Sequence, residues 1–141
     1  MTGHLPTIDS LEELEALVAR RPGLYLRYSH GPDRDGEGPS KDYESGLELP
    51  GLSVTVLDAE RWWTRPLRDW LARQVCKYAG LAEADEERRP WVLAGRVVAR
   101  GPDHEPLLVD VEPVAWLSDA LVEQARAHYH AVFDAGRDST D

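Results

Sequence analysis

The chain has 141 residues, a formal net charge of −10 at pH 7 and a hydrophobic fraction of 42%. This size and apolar content predict one folded domain and exclude a disordered chain. The negative charge argues against binding to phosphate backbones, and the one cysteine, Cys76, excludes an internal disulfide and a multi-cysteine zinc site. The sequence has no apolar run of about 20 residues and no signal-peptide pattern at its N-terminus, so we expect a cytoplasmic protein.

The first half of the chain predicts a helix, a strand and a long loop. Ser10 and Glu13 form a capping-box pattern ahead of apolar residues at helical spacing, which indicates a helix over residues 10–21. An aromatic-rich strand is expected over residues 24–28, between two glycines. Residues 29–51 hold eight Gly or Pro residues without an apolar period, and we interpret them as a long ordered flap over a recessed polar surface.

The second half predicts a strand, two successive helices, a hairpin and a last helix. In chain order these are a strand over residues 52–57, a short helix capped by Asp58 that holds Trp62 and Trp63, a helix from Thr64 or Pro66 to Gly80, strands over residues 91–100 and 107–111, and a helix that begins at Ser118 or Asp119. The predicted fold class is therefore α+β, with a small, mostly antiparallel sheet and three to four helices. We expect a single domain over residues 1–141, with an ordered core at about 9–134 and a frayed tail at 135–141.

Polar residues at the end of the first strand form the first candidate binding site. Arg27 is placed to hold a phosphate or carboxylate with two hydrogen bonds, Tyr28 follows it, and His30 titrates near neutral pH and could transfer a proton. Tyr43, within the long loop, could stack on the same ligand if the loop closes as a lid. The alternative is a surface arginine followed by a polar turn.

Carboxylates provide the other candidates. Asp110 and Glu112 are two residues apart in a strand, so their side chains share a face and could form an acid–base couple, or simply the polar face of a half-exposed strand. Asp103, His104 and Glu105 form a second polar group at the hairpin tip, where a solvated turn is the simpler interpretation. The acidic residues of the long loop do not match a calcium-binding loop, so we expect no metal site.

Four segments resemble a known family. The phrases GLYLRYSHGPDRD, DYESGLELPGLSV, RWWTRPLRDWLARQVCKY and GRVVARGPDHEPLLVDVEPVAW resemble an uncharacterised family of small actinobacterial proteins, over roughly residues 10–130. The resemblance implies a domain of unknown function, and it transfers no activity.

A second likeness is to ADP-ribosyltransferases of the Arg–Ser–Glu type. Arg27 is similar to the arginine that grips the dinucleotide in that family, and Ser53, in a Ser-Val-Thr strand, is similar to its Ser-x-Thr element. Glu112 is similar to the late glutamate that stabilises the oxocarbenium ion. This resemblance implies NAD as the cofactor, with Ser53 and Glu112 as catalytic residues.

Two functions remain open on the sequence alone. The favoured one is a non-catalytic binding or regulatory module without a cofactor, in which the 29–51 loop and nearby aromatic residues contact a protein partner. An acidic surface favours a basic partner through electrostatic steering, and neither a membrane nor a nucleic acid is expected to bind. The alternative is a small NAD-consuming enzyme that uses Arg27, Ser53 and Glu112.

Overall fold

The computed structural model describes residues 5–29, 31–32, 51–77, 79, 88–101 and 104–133. Within these residues lie three helices and six strands. In chain order they are β1 (Thr7–Ile8), α1 (Leu11–Arg20), β2 (Tyr25–Ser29), β3 (Leu52–Ser53), β4 (Thr55–Val56), α2 (Leu67–Lys77), β5 (Arg89–Arg100), β6 (Pro106–Leu117) and α3 (Asp119–Phe133). The α+β class with a small, mostly antiparallel sheet is confirmed.

The sheet is curled, because one short segment of the chain pairs with two of its strands. The strand order is β1-β6-β5-β2-β4, with β1 parallel to β6 and the other neighbours antiparallel. β3 and β4 are separated only by Val54; β3 pairs with β6, and β4 pairs with β2. Residues 52–56 therefore join β2 to β6 and close a ring in which β3 and β4 together count as the fourth strand, beside β2, β5 and β6.

Two hydrophobic cores lie on the two sides of this sheet. The inner core takes residues from all four strands of the ring: Leu52, Val54, Trp91, Leu93 and Leu108, with Tyr25, Val111 and Trp116 packed against them. The helix-facing core lies between the sheet and the helices and includes Leu14, Leu26, Tyr28, Leu71, Val75 and Leu121. Side chains alternate along a strand, so Arg27 and Ser29 project to the same side of β2 as Tyr25, which is the inner side.

Two helix starts follow the capping chemistry read from the sequence. The Ser10 hydroxyl accepts a hydrogen bond of 3.1 Å from the backbone N–H of Glu13, which confirms the predicted cap of α1. At α3 the sequence left Ser118 and Asp119 as alternatives. The Ser118 hydroxyl accepts a bond of 3.1 Å from the backbone N–H of Leu121, so Ser118 is the capping residue.

The predictions for two elements were wrong. The short helix expected around Trp62 is only a turn, closed by the Trp63 N–H on the Glu60 oxygen at 2.9 Å. Pro66 keeps this turn from continuing into α2, because proline has no N–H to donate to the carbonyl of residue 62. β6 runs on to Leu117 rather than ending at residue 111; its Pro113 falls beside a register shift, where a proline is tolerated.

Most of the predicted long loop, at residues 33–50, and the predicted tail at 135–141 lie outside the described residues.

Candidate functional site

Arg27 and Ser53, two residues of the predicted site, lie next to each other where the ring of strands closes. Arg27 comes from β2 and Ser53 from β3. The Nη1 atom of Arg27 donates a hydrogen bond of 2.6 Å to the backbone oxygen of Ser53. A hydrogen bond from a charged donor is stronger than one between neutral groups, so this contact holds β3 to β2.

The hydroxyl of Ser53 binds a residue that the sequence assigned to a solvated turn. It donates a hydrogen bond of 3.0 Å to Oε2 of Glu105, just before β6. The Glu105 carboxylate lies so close over Gly101 that a Cβ at Gly101 would collide with it. Arg27, Ser53 and Glu105 thus form a hydrogen-bonded group, the closure cluster, which links β2, β3 and the turn between β5 and β6.

Glu112, the predicted catalytic carboxylate, has a different partner. Its neighbour Val111 packs on the inner core, so the alternation of β6 directs Glu112 to the other face of the sheet. There its Oε2 accepts a bond of 2.6 Å from Nη2 of Arg21, just after α1. Asp110, its predicted acid–base companion, lies 3.2 Å from the guanidinium of Arg96. The two carboxylates are therefore held by separate arginines.

Tyr28, another predicted ligand-binding residue, faces away from Arg27. Its side chain lies in the helix-facing core, and its hydroxyl donates a hydrogen bond of 2.8 Å to the backbone oxygen of Val75. Burial raises the pKa of this phenol well above its ordinary value. Tyr28 thereby anchors β2 to α2 in this structure.

Two other predicted binding residues, His30 and Tyr43, lie outside the described residues. Among the residues that are described, no three His, Cys, Asp or Glu side chains are grouped in a way that could hold a metal ion.

A second candidate site lies between the segment before α2 and the end of α3. Trp62, Trp63 and Trp70 pack edge to face against one another, with ring centroids 5.9, 5.8 and 5.1 Å apart. Phe133 lies 6.4 Å from Trp63, and these four rings are called the tryptophan surface below. Trp70 is buried, whereas Trp62 leaves 63% of its area in water.

Arginines line the tryptophan surface. The guanidinium of Arg65 lies 4.8 Å from the centre of the Phe133 ring, and that of Arg73 lies 5.3 Å from the centre of the Trp70 ring. Arg61 is exposed next to Trp62. The face of an aromatic ring attracts a cation, so these contacts hold the two guanidinium groups beside the apolar rings.

A buried carboxylate orients the polar groups below this surface. Asp69 of α2 is 7% exposed, and its Oδ1 lies 2.7 Å from Nε2 of His128 on α3. Its Oδ2 accepts a bond of 3.3 Å from Nε of Arg65. Asp69 therefore fixes the side chain that stacks on Phe133 and also joins the two helices.

The sequence contained part of this signal. It placed Trp62 and Trp63 together in one short segment, but it did not indicate that Trp62 is exposed while Trp70 is buried. The pairing of Asp69 with His128 joins positions on two different helices, and no local pattern indicates it. Glu105 was named only as part of a turn, because its bond to Ser53 depends on the closure of the ring.

Comparison with known proteins identifies a family. The model described as "Family of unknown function (DUF6098)" matches residues 1–140. Searches of curated proteins and of solved structures find no significant relative. The match confirms the predicted membership of an uncharacterised family; the actinobacterial source and the likeness to ADP-ribosyltransferases stay predictions. None of the described helices has the length and apolar character needed to cross a membrane.

Proposed function

We propose that the chain, which belongs to this family of unknown function, is a non-catalytic protein-binding module whose partner docks on the tryptophan surface. The observation that carries the proposal is the exposure of Trp62, at 63% of its area. Exposing this much of an indole forgoes on the order of 3 kcal/mol of hydrophobic stabilisation. Burial of the ring by a partner would recover part of that free energy.

The rigidity of the surface supports the same role. Trp62 rests on Trp63 and Trp70, and Trp63 is itself fixed by a hydrogen bond of 3.2 Å from its Nε1 to the Pro66 oxygen. A preformed aromatic anchor loses little conformational entropy on binding, which is why tryptophan and arginine dominate the binding energy of many interfaces.

Local charge defines what the docking segment should carry. Residues 61–77 hold five basic side chains and one acidic side chain, although the whole chain carries a net charge of −10. Charges act over about 8 Å at physiological salt, so the arginines beside Trp62 decide the contact. The docking segment is therefore expected to present an apolar side chain and carboxylates. The net charge of the chain predicts a partner that is basic as a whole, because long-range attraction depends on net charge. That expectation stays a prediction.

The test is a direct binding measurement on a partner identified by photo-crosslinking. The full chain with a photoreactive residue in place of Arg61 would be crosslinked in a lysate, and the captured protein would be identified and purified. Titration against the wild-type chain and Trp62→Ala should show a loss of affinity of about 30-fold or more, as expected for an interface hot spot.

A matched variant controls this test. Thr7 is exposed on β1, and Thr7→Ala should bind the partner with wild-type affinity. Equal affinity of Trp62→Ala and the wild type, or an equal loss in Thr7→Ala, would contradict the proposal.

The alternative of an NAD-consuming enzyme has less support from the geometry. It is favoured by the short distance between Arg27 and Ser53, but Arg27 bonds the Ser53 backbone and the Ser53 hydroxyl bonds Glu105. Glu112 is held by Arg21 on the other face of β6. Catalytic groups must meet at one substrate, and such a site needs these side chains rearranged.

A further inference from the structure

The outer half of β5 is an edge of the sheet that the described strands form. β2 covers β5 only along Arg89–Leu93. Beyond Leu93, no described strand other than β6 pairs with β5. Half of the peptide groups of such a strand point away from its one neighbour, so residues 94–100 present hydrogen-bond donors and acceptors that another strand could use.

The side chains along this edge are exposed and apolar at its centre. Val97 and Val98 are 40% and 42% exposed, and they are two of the three large exposed hydrophobic side chains of the described residues. Arg96 and Arg100 flank them and are also exposed. The edge therefore combines backbone groups that no second described strand pairs, an apolar centre and a positive charge on each side.

The charge of β5 differs from that of the rest of the chain. Residues 88–100 carry four arginines and no acidic residue, in a chain whose net charge is −10. Arg96 is paired with Asp110, but their side chains are 67% and 74% exposed, and such an exposed pair contributes little to stability. Arg96 is thus available to exchange Asp110 for a carboxylate of a partner.

We propose that residues 94–100 of β5 form a second binding site, at which an extended acidic segment of a partner protein adds a strand to the sheet. Backbone pairing to the edge supplies affinity in this mode of recognition, and side chains supply specificity. Arg96 and Arg100 each bind a carboxylate of the incoming strand, and its apolar residues cover Val97 and Val98.

A second copy of the chain fits this edge poorly. Pairing two β5 edges would bring the arginines of both copies together, and neither strand would contribute a carboxylate. Charged side chains are a usual means by which an edge strand avoids its own kind, and they leave an oppositely charged segment acceptable.

Amide hydrogen exchange on the full chain tests this proposal. The probe is a blocked peptide of alternating Glu and Val, with a Lys–Val peptide as the matched control. At millimolar concentration and low salt, the Glu–Val peptide should slow exchange in residues 94–100 about tenfold, and the Lys–Val peptide should leave it unchanged. The variant with Arg96→Glu and Arg100→Glu should reverse this preference.

Each other outcome overturns the proposal. Absence of peptide-dependent protection, or equal protection by both peptides, would exclude an acidic strand as the occupant. Protection that grows with protein concentration alone would assign the edge to a second copy. Trp62→Ala should respond to the Glu–Val peptide like the wild type, so failure at the edge and failure at the tryptophan surface are distinguishable.

Discussion

Trp91 and Trp62 differ most among the tryptophans in how much of the side chain is exposed to solvent. Trp91 is fully buried in the inner core, and its Nε1 donates a hydrogen bond of 2.9 Å to the Ser29 hydroxyl. Trp62 packs against two other tryptophans but leaves most of its area in water. Inside the closed ring, Trp91 and Ser29 bind each other. On the helical side, Trp62 is exposed to solvent. Residue type alone therefore does not separate a core tryptophan from an exposed one.

The largest expected effect tests the inner member of this pair. Trp91→Ala should lower the free energy of unfolding by about 3–5 kcal/mol, because it leaves a cavity and removes the partner of Ser29. Trp62→Ala should lower it by about 1 kcal/mol, since it removes only edge-to-face contacts. Urea unfolding followed by circular dichroism measures both. If Trp91→Ala does not fold, Trp91→Phe, which removes the hydrogen bond and part of the buried ring, should still be less stable than the wild type. Similar losses for the two alanine variants would refute the comparison.

A smaller effect is expected at the closure cluster. Arg27→Ala removes the donor to the Ser53 oxygen and should lower the free energy of unfolding by about 1–3 kcal/mol. Arg96→Ala is the matched control, because its pair with Asp110 is exposed and should contribute about 0.5 kcal/mol or less. Urea midpoints give both values. If Arg27→Ala were as stable as Arg96→Ala, the closure cluster would have no structural role.

Stability at alkaline pH tests the burial of two titratable side chains, Cys76 and Tyr28. Burial raises the pKa of the half-buried Cys76 thiol above its usual 9.0, and burial also raises the pKa of the Tyr28 phenol. A raised folded-state pKa stabilises the fold below the ordinary pKa, and this stability is lost as pH rises through the folded value. The urea midpoint should therefore fall between about pH 8 and about pH 11, and less so in Cys76→Ala. A pH-independent midpoint would disagree with this burial.

The smallest expected effect is a null result with NAD. Because Arg27 and Ser53 are engaged in the closure cluster and Glu112 is held by Arg21, millimolar NAD should not shift the melting temperature of the wild-type chain. Thermal unfolding with and without NAD checks this. A rise that Arg27→Ala and Glu112→Ala abolish would instead support the enzyme.

Local chemistry made much of the fold predictable. The cap at Ser10, the apolar stripe of α2 and the turn between β5 and β6 each depend on residues close together in the chain. The sequence also placed Arg27 and Ser53 in one candidate site, and the structure brings them into contact. That contact arises from the path of the chain, and it does not show that either residue takes part in catalysis.

What the sequence could not provide depends on pairing between distant segments. β1 and β3 have only two residues each, too few to show a periodic pattern. The separation of Asp110 from Glu112 follows from the backbone of Asp110, whose φ of 54° interrupts the strand alternation that predicted a shared face. The link from Asp69 to His128 forms only after α2 and α3 pack together.

The closing segment at residues 52–56 also has a consequence for folding kinetics. The hairpin of β5 and β6 joins neighbouring parts of the chain, whereas β3 reaches β6 across a long stretch of intervening sequence. Contacts of high sequence separation form late, because the entropy of closing the loop is lost before the contact stabilises the chain. Closure of the ring is therefore expected to follow formation of the β5–β6 hairpin.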